Sequence, residues 1–411
     1  MSILVAPPAE VPEPTPEPAS ASEPSVGAPT APTDGGWRRS WLIGLATWAS
    51  AVATYVAVTA LSFMVTDRAG PSLSRLYEVW DHWDTGHYMR IATIGYTADR
   101  PDTHAFFPLY PLLLRAVDWV LPGPTLAATL VLANALLVPA LAVLHRFVTE
   151  TIDRPLADRT LLVLMAWPAA FFLSAGYNAS LFLLLSVSVL YCLRRRAWWW
   201  AGLLGGLASA TRLAGVLLVL AFAVEYLRVR GWRWRAVRWD AAAVLLVPVG
   251  VVAFATYCWV ALDDPFAFSR AQDHWGRRMA APWVGVGDAV RLILHRPPLE
   301  PGALHNLIDL VAVVAAVTLL VLAAVGRWRL GAEYRAALVY SAASILLVLV
   351  GPVGGAFPLQ GVARYAMELV PAFVVLARMT AGRVGERLYL LPAVGIQAVF
   401  LLTFLNNVWV S

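Results

Sequence analysis

Residues 41–65 read WLIGLATWASAVATYVAVTALSFMV, twenty-five positions without a charged side chain. At 1.5 Å per residue, roughly 20 apolar residues cross the hydrocarbon core of a bilayer, so this stretch alone predicts a membrane-spanning helix. The pattern recurs at about 125–145, 160–176, 179–193, 240–262, 305–326, 335–352, 366–379 and 388–406. The stretch 197–227 is long for one helix and carries Arg212 and Gly215 in its middle. A charge at mid-membrane is costly. Two short helices meeting at Thr211-Arg212-Leu213-Ala214-Gly215 remove that cost by bringing Arg212 near the membrane surface. The expectation is an all-α polytopic membrane protein of about eleven transmembrane helices. Composition agrees: 59% of the 411 residues are hydrophobic and 14% charged, against about 45–50% and 25% in soluble domains.

Residues 1–36 hold nine prolines and no arginine. They are expected to form a disordered, Pro-rich cytoplasmic tail ahead of one membrane domain over 37–411. All 31 basic residues are arginine. Without lysine, a Walker A loop, a Schiff-base lysine and a Ser–Lys dyad are excluded. Nor is there a G-x-G-x-x-G, an H-E-x-x-H or a G-x-S-x-G, and Cys192 and Cys258 lie in apolar segments with no metal or disulfide spacing. The net charge of +5 belongs to inter-span loops and not to a nucleic-acid surface. With the N-terminus cytoplasmic and 197–227 split, 19 arginines fall on the inside and 12 on the outside, in keeping with the positive-inside rule. Four polar, aromatic-rich segments then face outward: 66–105, the Tyr177 turn, 263–304 and 353–365.

The densest of these is Trp80-Asp81-His82-Trp83-Asp84-Thr85-Gly86-His87-Tyr88. A carboxylate there can serve as general base toward a sugar hydroxyl, and burial beside aromatics favours that role. Asp81, Asp84 and His87 are spaced i, i+3, i+6, which on a helix puts them roughly on one face. Two Asp and two His are also compatible with a divalent metal ion, although the spacing is not a specific ligand pattern. An aromatic belt at the membrane interface is the bland account of the tryptophans.

Downstream come Ile91-Ala92, Gly95-Tyr96 and Phe106-Phe107-Pro108-x-x-Pro111. Taken in order with Trp83-Asp84-x-x-His87-Tyr88, they resemble the first block of the PIG-V-type mannosyltransferases. The resemblance continues through Pro168-x-x-Phe171 to Tyr177-x-x-Ser180-Leu181-Phe182, and through Ala201-Gly202-Leu203 to Thr211-Arg212-x-x-Gly215. It ends with Asp264-Pro265-x-Ala267-Phe268, Gln272 and Trp275, and then Arg364-Tyr365 with Pro371. One departure is that the family's acidic residue ahead of Ser-Leu-Phe is replaced by Asn178-Ala179. The lysine-free, Ala- and Trp-rich composition points to a bacterial member.

The resemblance implies a GT-C-like membrane glycosyltransferase that takes mannose from a polyprenyl-phosphate donor, with inversion, and passes it to a lipid-linked or cell-wall glycan at the extracytoplasmic face. No cofactor is implied, beyond the metal ion left open above. Asp84 is the expected base, with Asp81 as the second catalytic candidate. Arg212 and Arg364, both placed outside by the topology, would clamp the phosphate, because guanidinium matches phosphate geometry bidentately. His87, Tyr88, Gln272 and Arg277 are the remaining substrate-binding candidates. Two other classes compete: a transporter or lipid flippase guided by intramembrane arginine, and a non-catalytic scaffold, suggested by the missing acid near Ala179. No inverted repeat is visible, and the polar chemistry gathers on one side.

Overall fold

A computed structural model describes residues 34–65, 72–297 and 300–410. The Pro-rich tail expected over 1–36 therefore lies outside the described residues as far as residue 33, while 34–36 already belong to the first helix. That helix, α1 (Asp34–Val65), is followed by three short ones, α2 (Leu73–Glu78), α3 (Asp84–Ile94) and α4 (Leu109–Val120). Next come α5 (Thr125–Thr151), α6 (Arg154–Met165), α7 (Ala179–Arg194), α8 (Trp198–Ser209) and α9 (Leu218–Val229). The second half holds α10 (Val249–Leu262), α11 (Ala267–His274), α12 (Pro282–Leu294), α13 (Pro301–Ala324) and α14 (Arg335–Leu349). It closes with α15 (Val362–Tyr365), α16 (Val370–Met379) and α17 (Arg383–Leu405). Among the described residues there is no strand, and the one β-bridge pairs Arg277 with Val353.

Among the described residues, five helical stretches are long and apolar enough to cross a membrane: Gly36–Met64, Thr125–Thr151, Gly302–Ala324, Ala332–Leu349 and Arg383–Leu405. Trp239–Leu246 and Val249–Leu262, bent by 44°, bring the number to six if the pair is one broken span. Eleven is reached only if the shorter α6, α7, α8, α9 and α16 also cross. The expected split within 197–227 is present: α8 stops at Ser209, Arg212 is extended, and a 3-10 turn over Leu213–Leu217 leads into α9. The expected continuous run over 160–176 is not. α6 ends at Met165 and only a 3-10 turn, Ala170–Leu173, follows. Pro168 explains the break, because it disfavours helical geometry at the residue before it and donates no hydrogen bond.

α5 and α7 form the centre, with α1, α6 and α8 packed around them. On α7, Phe182, Leu183, Val187 and Val189 are fully buried, as expected of a helix that is apolar on every face. α5 and α7 also define two ends of the bundle. At one, Arg146 Nε donates to Glu150 Oε1 at 2.6 Å and Arg194 donates to the Glu150 carbonyl at 2.7 Å. Nearby, His145 joins Ser40 of α1 (2.9 Å) to Asp158 of α6 (2.8 Å). At the other end α7 begins next to Asn178, where the polar loops assemble.

Close backbone packing between α8 and α10 depends on glycine, as in membrane helices generally. A Cβ on Gly250 would collide with the Gly206 carbonyl oxygen and the Ala210 amide, whereas one on Gly287 meets nothing within 4 Å. Gly250→Ala should therefore destabilise the folded protein by about 1–3 kcal/mol, as overpacking does. Gly287→Ala, inside α12, should leave stability unchanged or raise it slightly. Thermal unfolding of the two purified variants in the same detergent checks this; equal melting temperatures would contradict the packing.

Candidate functional site

The Asp-containing loop folds around a strained residue. Trp83 has φ 55°, in the left-handed region that a bulky side chain rarely adopts, and serves as N-cap of α3. Asp84 is thus the first residue of α3, where a carboxylate meets the positive end of the helix. The i, i+3, i+6 face expected from the sequence is not realised, because Asp81 precedes the helix and is exposed. His87 turns elsewhere. Its ring stacks on Phe106 at 4.8 Å and meets the Trp275 edge at 5.3 Å, and Nδ1 lies 3.7 Å from Asp102 Oδ2. Burial lowers the imidazole's pKa, opposed by Asp84 and Asp102. Trp80 is no interfacial residue either; it is buried against Tyr55 and Phe404.

Asp84 receives a hydrogen bond from Arg364, Nη1 to Oδ2, at 2.7 Å. Arg364 is 280 residues downstream and is brought there by Gly361, whose φ of 88° turns the chain into α15. The guanidinium is buried among aromatic rings, 5.2 Å from Tyr177, 5.4 Å from Phe172 and 5.5 Å from Tyr365. Arg212 reaches the same place from the break after α8 and also lies 5.5 Å from the Tyr365 ring. Asn178 Oδ1 accepts from Arg212 Nε at 2.8 Å and from Nη2 at 2.5 Å, and Nη1 pairs with Glu368. Asn178 in turn donates to the Thr211 carbonyl at 3.1 Å.

These groups line a cavity of about 560 Å³. Six of the eight residues singled out from the sequence are on its wall: Asp84, Tyr88, Arg212, Gln272, Arg277 and Arg364. Asp81 and His87 are not among its lining residues. Gln272 arrives on α11, which is tied to the first loop by Trp275 Nε1 donating to the Asp102 carbonyl at 3.1 Å. Arg277 follows on a strap that pairs with the loop after α14, through Gly354 N to Gly276 O at 2.7 Å and Ala280 N to Val350 O at 2.9 Å. Its Nη1 donates to the Gly351 carbonyl at 3.0 Å.

Among the lining residues that the sequence reading did not single out as site candidates are Asn178, Tyr365, Glu368 and Trp409. Asn178 stood out only as a departure from the family's acid, yet it orients Arg212. Glu368 had a signal that was passed over, since an acid inside an apolar run is costly and needs a partner. Among the described residues no group of three or more His, Cys, Asp or Glu is placed to hold a metal ion. Chemically, the wall places the Asp84 carboxylate beside the buried Arg364 guanidinium and near the part-buried Arg212, which Glu368 pairs, an arrangement suited to an anionic group flanked by a proton acceptor.

Residues 48–230 match the family model described as Mannosyltransferase (PIG-V). The chain is 34% identical over 147 residues to GPI alpha-1,6-mannosyltransferase 2 of Rattus norvegicus, covering 33% of this chain and 30% of that protein. For the proteins of the same description from Mus musculus and Cricetulus griseus the identities are 34% over 145 residues and 33% over 147, each covering 33% of this chain and 29% of the relative. The chain thus matches about a third of the length of these curated relatives. The matched segment carries Asp84, Tyr88, Asn178 and Arg212, while Gln272, Arg277, Arg364 and Glu368 lie beyond it. Residues 48–230, which build the Asp84 wall of the cavity, are thus similar to the mannosyltransferase (PIG-V) family.

Proposed function

We propose that the protein is a membrane mannosyltransferase that takes mannose from a polyprenyl-phosphate donor and passes it, with inversion, to a lipid-linked or cell-wall glycan. The observation that carries this reading is the 2.7 Å contact between Asp84 and Arg364, with Arg212 on the same cavity wall. In the reaction an acceptor hydroxyl oxygen attacks the anomeric carbon from the face opposite the phosphate. The carbon–oxygen bond to phosphate breaks, the phosphate leaves with the electron pair, and the hydroxyl proton passes to Asp84. Phosphate is a weakly basic leaving group, so charge neutralisation matters more than a general acid. Arg364 and Arg212 supply it from fixed, buried and part-buried positions, where their charges are less screened than in water. Tyr88, Gln272 and Arg277 complete the wall and offer hydrogen bonds to the remainder of the two substrates.

Membrane sidedness follows from charge. The Arg146–Glu150–Arg194 end belongs to the cytoplasm and the cavity to the opposite face. Cysteines introduced at Asp99 and Pro265 should react with an impermeant thiol reagent on intact cells, and one at Arg233 should not. Labelling at position 233 would reverse the orientation.

Asp84→Asn preserves size and the ability to accept from Arg364 but removes the proton acceptor. General base catalysis is worth about 10²–10⁴-fold, so turnover should fall by at least the lower figure with normal protein levels and donor binding little changed. Asp81→Asn, at an exposed position off the cavity wall, should lose far less. The assay is mannose transfer in washed membranes, backed by glycan analysis of a deletion strain. Full activity of Asp84→Asn would remove the base assignment. An unaltered glycan profile in the deletion strain would favour the transporter or scaffold.

A further inference from the structure

The chain does not continue outward after α17. Asn406 and Asn407 cap the helix, Asn407 with φ 59°, and the Val408 amide bonds back to Thr403 at 3.1 Å. Val410 is then buried in the core. The turn and this anchor hold Trp409 on the wall of the cavity. Its ring meets Trp83 edge-on at 4.8 Å and 90°. Trp83 is the strained residue that immediately precedes Asp84, so Trp409 stands on the carboxylate side of the cavity.

The indole nitrogen is unusual. Nε1 is buried and has no hydrogen-bond partner among the described residues. Indole nitrogen is a donor only, and an interfacial tryptophan keeps it wet, so a buried indole N–H on a cavity wall calls for an acceptor that the protein does not provide. Within the proposed reaction the phosphate belongs to Arg212 and Arg364, and the transferred hexose lies between that phosphate and the acceptor hydroxyl, on the Asp84 side. The part of the donor that reaches Trp409 is then the hexose ring. We infer that Trp409 is a sugar-positioning residue: its N–H donates to a hydroxyl oxygen of the transferred hexose. This rests on the mannosyltransferase reading, and it lies outside the segment that matches the family.

The test is equilibrium binding of polyprenyl-phosphomannose and of sugar-free polyprenyl phosphate to the full chain in nanodiscs. Trp409→Phe keeps an aromatic edge against Trp83 but has no N–H. It should bind the phosphomannose about tenfold more weakly, the cost of one hydrogen bond, and the sugar-free phosphate as well as wild type does. Equal weakening of both lipids, or of neither, would overturn the assignment. A second measurement varies the donor: among donors lacking one mannose hydroxyl each, one should show the same tenfold loss on wild type, and that loss should vanish in Trp409→Phe. A uniform response across the deoxy donors would also overturn it. If wild type bound neither lipid, the functional reading itself would fall, which is a different result from failure at Trp409.

Discussion

The contact between Asp84 and Arg364 joins the first polar loop to a turn 280 residues later, inside a water-poor wall of aromatic rings. Charges in such surroundings lose hydration that their mutual attraction recovers only in good geometry, so a buried ion pair is weak evidence of stability. Its presence has a different reading. Removing either partner would strand a charge, at a cost of about 3–5 kcal/mol. The second pair, Arg212 with Glu368, obeys the same constraint and shares the Tyr365 ring with the first. Four segments from both halves of the chain are thereby held at one point, and the cavity exists because they meet there.

The supporting structure follows from that requirement. Arg212 can sit in a helix break only because α8 stops early, and α8 packs closely on α10 because glycines line the contact. Arg364 needs the left-handed Gly361, and Asp84 needs Trp83 in a conformation that its side chain disfavours. Strain of this kind persists only where the surroundings determine it. Here they include Trp409, whose edge-on ring contact supports Trp83 from the far end of the chain.

Asn178 illustrates how a neutral side chain orients a guanidinium. An acid at this position would face Arg212 directly. The amide oxygen still accepts two guanidinium hydrogen bonds, its nitrogen holds Thr211, and the negative charge comes from Glu368. The geometry around Arg212 is kept while the charge is supplied from another helix.

Much of this was legible in the sequence, because hydropathy acts locally. An apolar run of about 20 residues has one stable setting in a bilayer whatever surrounds it, so the helical membrane architecture, the break at Arg212 and the gathering of polar chemistry in a few loops could all be read from the chain. Arg212 was likewise visible as a charge in a place where charge is costly, Asp84 as a carboxylate in the densest polar loop, and Arg364 through the resemblance and its expected outward placement. Partnership was not legible. That Asp84 meets Arg364, that Glu368 carries the charge opposite Arg212, that His87 stacks on the lining residue Phe106 without lining the cavity itself and that Trp409 returns to its wall are contacts between residues apart in the chain. Only tertiary packing decides them, because spacing along one helix says nothing about which helix lies opposite.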